Sequence, residues 1–216
     1  MKRTLITFGA LAALAAPAVH AAKPEPRNLT ISATPTTVKF GRAVTLSGKL
    51  NGSNNANRPV TVEEDPFPFD NAFSPSGPAT TTNAQGEWTF SDKPTLNTHY
   101  RARSGNAESR VVDVGVRPAI SLALSDYTPR VGQIVRFFGR LCPEHDGVRV
   151  ALQRRVAPNQ WRTLRRPMLK DIPGETCSSY SKSLAVRRDG RYRVHFFGDA
   201  DHVAGNSRSR FANAHL

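Results

Sequence analysis

Cysteine is almost missing from this chain: of its 216 residues only Cys142 and Cys177 carry sulfur that can pair or bind metal. No Cys-x-x-Cys occurs and no histidine stands at ligand spacing from either, which excludes zinc-ribbon and dithiol-redox chemistry. Long apolar runs are missing beyond Val19, where no stretch approaches the roughly 20 residues that a membrane-spanning helix needs. Apolar residues nowhere recur three and four apart, so no amphipathic helix is expected. Catalytic signatures are missing too: no histidine lies in His-Glu-x-x-His, no serine in Gly-x-Ser-x-Gly, and there is no glycine-rich phosphate loop. The chain is therefore expected to be non-catalytic and to take no cofactor. Acidic residues are few beside the bases, 17 Asp and Glu against 30 Lys and Arg, for a formal charge of +13.

What the chain does have begins with a leader. Lys2 and Arg3 precede an uncharged apolar run from Leu5 to Val19 that ends in His20-Ala21-Ala22, the pattern of a secretory signal peptide over residues 1–22. Free export to the extracellular space or the envelope is expected, without a membrane span. The remaining length suits one large or two small domains, and 15 glycines with 16 prolines suit many short strands joined by turns.

An internal repeat points to two. Gly41-Arg-Ala-Val-Thr-Leu-Ser-Gly-Lys-Leu50 is matched by Gly132-Gln-Ile-Val-Arg-Phe-Phe-Gly-Arg-Leu141, Trp88 by Tyr180, and Tyr100-Arg101 by Tyr192-Arg193. An offset held across most of the unit implies duplication. Within each copy the apolar residues alternate, as they do where one sheet face is buried and the other is wet. Val44, Leu46, Leu50, Val60 and Val62 take the inner parity in the first copy. Val135, Phe137, Leu141, Val148, Val150 and Leu152 take it in the second, with Tyr192, Val194 and Phe196 further on, while Phe138 breaks the pattern. Later strands are expected near Trp88–Ser91, His99–Arg103 and Ser109–Val116, then near Tyr180–Val186, Arg191–Phe197 and Ser207–Phe211.

Phe40-Gly41 through Ser47-Gly48, Asn97-Thr-His-Tyr-Arg-Ala-Arg103 and Arg188-Asp-Gly-Arg-Tyr-Arg-Val194 together resemble bacterial immunoglobulin-like and fibronectin type III-like repeats of secreted and surface proteins, actinobacterial ones in particular. The resemblance implies an all-β chain, two tandem antiparallel immunoglobulin-like β-sandwiches, with domains at 23–116 and 117–216. Asp189-Gly190-Arg191-Tyr192 looks like a tyrosine corner, in which the ring hydroxyl ties to upstream backbone. No cysteine follows Tyr100 or Tyr192 by two residues, so the core disulfide of antibody domains, and antibody-like recognition, are not implied.

Cys142 and Cys177 are expected to pair with each other, since thiols of an exported chain oxidise. Charge is the most informative chemistry. Residues 23–116 hold 10 bases and 9 acids, whereas 117–216 hold 18 bases, 16 of them Arg, against 8 acids. Arg forks grip carboxylate, phosphate and sulfate in two-pronged geometry. Strand parity places Arg149, Arg191, Arg193, Arg208 and Arg210 on one outer sheet face, an expected contact for an acidic cell-wall polymer, glycan or acidic protein. The plain alternative is a solvated basic sheet. Nucleic acid is not the expected partner, because no recognition helix, stacking series or zinc module is present.

The first domain carries the stiff segment Glu64-Asp-Pro-Phe-Pro-Phe-Asp-Asn-Ala-Phe-Ser-Pro-Ser-Gly-Pro78. Its Phe67, Phe69 and Phe73 either present a hydrophobic contact to a partner or cap one end of their own domain, and capping is the reading preferred. Glu144-His145-Asp146 and Asp199-Ala-Asp201-His202 have cation-binding residue types without calcium-loop spacing, so solvated loop charges and no metal are expected. The function these features support is a secreted, non-catalytic binding or structural module. The alternative is an exported hydrolase or inhibitor whose site is assembled from loops.

Overall fold

The alternating segments form strands because each buries one face against a second sheet. The computed structural model describes residues 28–216, and the signal-peptide reading of residues 1–22 lies outside them. The described residues are all β: nineteen strands and no helix, so no helix there is long and apolar enough to cross a membrane.

Two separate hydrophobic clusters are closed, one from Leu29 to Val116 and one from Ile120 to Ala212. In the first, Ser32–Thr34, Val44–Lys49 and Glu87–Asp92 form one antiparallel sheet. Facing it, Thr37–Lys39, Val112–Arg117, Thr98–Ser104, Pro59–Pro66 and Ser74–Pro75 form another, whose first pair is parallel. Leu46, Leu50 and Trp88 of one sheet meet Val60, Val62, Tyr100 and Val114 of the other.

In the second cluster, Ala119–Ile120, Ala123–Leu124 and Ser178–Ala185 all pair with the long strand Ile134–Cys142. Gln160–Arg165, Ala151–Ala157, Gly190–Phe196, Gly205–Asn206 and Arg210–Ala212 form the facing sheet. Val135, Phe137 and Leu141 meet Val150, Leu152, Val194 and Phe196, and the Phe137 ring stands 4.8 Å from that of Tyr192 across the gap. Cys142 and Cys177 are disulfide-bonded at one end of this core.

The inner parity holds at Val44, Leu46, Leu50, Val60, Val62, Val135, Phe137, Leu141, Val150, Leu152, Tyr192, Val194 and Phe196, all buried. Val148 departs from it: at 37 % exposure it precedes the strand, in the turn that follows His145. Phe138 does not break the alternation. It keeps the outer parity of Arg136 and Arg140, and the Arg136 guanidinium covers its ring at 4.6 Å. The tyrosine-corner reading is also corrected, since the Tyr192 hydroxyl lies against the Arg154 side chain and not against upstream backbone.

The two halves meet through backbone. Asn97 donates its N–H to the Asp201 carbonyl (2.8 Å) and Val203 donates to that of Val116 (2.9 Å), while within the first half the Asn97 side chain accepts from the Val116 N–H (2.9 Å). The segment Gly198–Val203 of the second half is therefore docked on Thr95–Asn97 of the first.

Candidate functional site

The five arginines read as one face do not lie on one face. Arg191 and Arg193 do sit outward on Gly190–Phe196, but both are engaged. Arg193 donates from Nε to the Gln153 side chain (2.8 Å) and lies 4.2 Å over the Trp161 ring, and partial burial lowers its guanidinium from the ordinary value. Arg191 stands 5.7 Å over Phe211.

Arg210 is a correction to the parity assignment. It pairs in register with Tyr192, and residues directly opposite in an antiparallel pair share a face. Tyr192 points into the core, so Arg210 starts toward the core side and its Nε donates to the Leu122 carbonyl of the facing sheet (3.0 Å). Arg208 is exposed beside it, at a shallow recess shared with Lys39 and Arg117. Arg149 lies in the bridge to Met168, outside the sheet, and donates to the Arg166 carbonyl (3.1 Å).

What Arg149 and Arg210 do share is a groove of 890 Å³. Arg140, Arg166, Lys170 and Lys182 also line it, with Asp171 as its one acid and Phe138, Met168 and Ile172 among its apolar residues. Arg140 is neutralised by Glu175 at 2.5 Å. Arg149, Arg166, Lys170, Lys182 and Arg210 form no ion pair among the described residues. Lys182 has the parity of Ser178 and Tyr180 and pairs with Phe137 in register. Like Arg210 it leaves a core-side position and carries its charge into the groove, as long cationic side chains do. Sequence reading missed Arg140, Arg166, Lys170 and Lys182, because the groove draws them from three separate segments and no local pattern joins those.

The phenylalanines pack on residues of their own half. Phe69 stacks on His99 at 3.9 Å, Phe67 meets Phe69 edge-on at 5.6 Å, and Phe73 lies beneath the Arg101 guanidinium at 4.2 Å. All three are half-buried, so they are not a free hydrophobic patch.

The two histidine-containing runs are not simply solvated. His145 and His202 are buried, their rings 4.8 Å apart, with Asp199 and Asp201 beside them. Burial, with repulsion from the neighbouring Asp201, raises the Asp199 carboxyl above its ordinary value. Burial opposes ionisation of Asp201 as well, but Asp199 and His202 beside it outweigh burial and hold that carboxyl low. Among the described residues these four side chains can hold a metal ion, as can the exposed Glu144, Asp146 and Asp171.

No protein-family model matches the chain, and no curated protein matches it.

Proposed function

We propose that the chain is a secreted, non-catalytic binding module of two tandem immunoglobulin-like β-sandwich domains, a duplicated unit, whose second domain engages an acidic glycan or cell-wall polymer. The observation that carries this reading is the set of five bases without carboxylate partners around one groove. Uncompensated charges held close together repel and raise the local potential, so an anionic chain laid among them gains more than it does from isolated surface charges. Three of the five are Arg, suited to forked bonds with carboxylate or sulfate, and the apolar stretch beside them suits the flat faces of sugar rings. Two separately filled cores and a disulfide agree with an extracellular module.

The test is retention on immobilised polygalacturonate and on immobilised heparin, graded in salt. Binding is expected to weaken steadily as salt rises, because the contacts are exposed and screened. The double variant Arg149→Glu, Lys182→Glu is expected to weaken affinity by about 10-fold or more, equivalent to about 1.4 kcal/mol. Arg191→Glu with Arg193→Glu, on the face where both cations already have partners, is expected to do less. Equal losses from the two pairs would reduce the groove to net charge alone, and absence of salt-dependent retention would remove the reading.

A further inference from the structure

At the junction of the two halves, four side chains from two loops converge without hydrogen bonding one another in the way their chemistry asks. His145 follows the strand Ile134–Cys142, whereas Asp199, Asp201 and His202 lie in the turn after Gly190–Phe196. The ring Nδ1 of His145 is 2.9 Å from the Pro143 carbonyl, and Nε2 of His202 is 2.9 Å from the Thr95 carbonyl. A carbonyl oxygen only accepts. Each ring must therefore carry a proton on that outer nitrogen, and the tautomer of a neutral imidazole is fixed with its lone pair on the inner one.

The inner nitrogens, Nε2 of His145 and Nδ1 of His202, are buried and have no hydrogen-bond partner among the described residues. The side chains are 4 % and 1 % exposed. Each inner nitrogen nevertheless has a carboxylate oxygen close by, Asp199 Oδ2 at 3.3 Å and Asp201 Oδ1 at 3.2 Å. Were both rings imidazolium, two buried charged N–H groups would stand 3.3 and 3.2 Å from carboxylates without making a hydrogen bond to them, an expensive arrangement. Were both neutral, two lone pairs and two carboxylates would face one another with nothing between them.

We propose that these four side chains form a binding site for a divalent transition-metal ion, zinc by preference, with Nε2 of His145, Nδ1 of His202 and one oxygen each from Asp199 and Asp201 as ligands. One ligand atom from each residue lies within 4.8 Å of all the others. A tetrahedral ion with bonds of about 2.1 Å holds its ligand atoms about 3.4 Å apart, which the two His–Asp pairs already match. Two imidazoles with two carboxylates suit zinc and its neighbours in the first transition row better than calcium or magnesium, which take oxygen alone. The outer nitrogens bonded to carbonyls are the second support, since ligating histidines are oriented by such a bond on the far nitrogen. A divalent charge also relieves the repulsion between Asp199 and Asp201. Because all four positions are protein ligands, the site is closed and its work is structural. It ties the loop after Cys142 to the turn after Phe196, and through the Thr95 carbonyl it fastens that turn to the first domain.

The experiment is zinc binding by the tag-free chain, stripped with chelator and titrated with Zn²⁺ alone, followed by metal analysis and by the visible spectrum of the Co²⁺ form. About one equivalent per chain is expected, with the absorption of a four-coordinate cobalt centre. His202→Gln is expected to weaken affinity by about 100-fold or more. Should that variant fail to fold, the double variant Asp199→Asn, Asp201→Asn decides, because its partly exposed side chains keep their shape and it is expected to weaken binding comparably. Asp171→Asn, at the exposed acidic group, is expected to leave affinity unchanged. Absence of stoichiometric zinc in the folded wild-type chain overturns the proposal. So does wild-type affinity in the double Asp variant, or loss of binding in Asp171→Asn instead.

Discussion

Gly139→Ala is expected to lower the stability of the second core by about 3 kcal/mol or more, at or beyond the upper end of ordinary overpacking. Gly139 lies inside the strand Ile134–Cys142, at a backbone angle any residue adopts, so the cost is crowding alone. A Cβ there would fall on the Ser121 carbonyl oxygen, well inside contact distance, and 2.7 Å from the Tyr180 hydroxyl. Neither neighbour is a loose side-chain tip. Ser121 is pinned to Arg140 from both directions, its N–H donating to the Arg140 carbonyl (3.0 Å) and its Oγ accepting from the Arg140 N–H (2.9 Å), while Tyr180 donates its hydroxyl to the Ser121 carbonyl. A methyl group must break some of these bonds, each worth about 1 kcal/mol, as well as displace a strand. Gly48 is built alike: Thr30 lies over it, bonds to Lys49 in the same two ways, and Trp88 takes the place of Tyr180. Gly132, by contrast, has open space around its absent Cβ and only a positive φ of 90°, so Gly132→Ala is expected to cost about 1 to 2 kcal/mol. Denaturant unfolding measures the difference, with Trp161 reporting on the second core and Trp88 on the first. A loss under about 1 kcal/mol for Gly139→Ala, with unchanged slope, would show that Ser121 yields and that the close approach is not a constraint.

The same glycines show how much of the fold the amino-acid order carried. Gly48 and Gly139 stand at matching places in two similar stretches, and the reason lies in a carbonyl contributed by a segment about eighteen residues upstream. Inner-facing residues such as Leu46, Val62, Phe137 and Val194 were legible because period-two alternation is local. The strand Gln160–Arg165 was not, since its outer position in the sheet leaves only Trp161 and Leu164 to be partly covered. Arg210 was misdirected because its side depends on pairing with Tyr192, and a shift of one residue turns every side chain over. The groove and the histidine pair were less legible still. Lys182 and Arg149 are brought together by the fold alone, and the His202 tautomer is set by Thr95, a residue of the other half. Glu-His-Asp at 144–146 and Asp-Ala-Asp-His at 199–202 were the visible hints of that cluster, and neither reveals that its histidine is buried or that the two runs meet.

Removing the disulfide with Cys142→Ser and Cys177→Ser is expected to cost the second core about 3 to 4 kcal/mol, the chain-entropy value for a loop of this size. The bond spans 35 positions, a loop that includes Ala151–Ala157 and Gln160–Arg165, two of the strands that close the core from the facing side. Without the link, the unfolded chain regains the freedom of that whole loop, whereas the folded chain keeps the neighbouring pair Leu141 and Ser178 in register. The damage is expected to centre on one end of the sheet. There Ser178 accepts the His145 N–H (2.7 Å) and donates to Asp146 (2.5 Å), so the loop that carries His145 loses its nearest covalent anchor. The first core contains no cysteine, and its unfolding transition, read from Trp88, is expected to stay in place. Reduction of the wild-type chain should reproduce the double variant. A fall under about 1 kcal/mol would mean that the strand pairing alone holds this end, against the loop-closure account, and two reactive thiols in the native protein would mean that the bond is not formed at all.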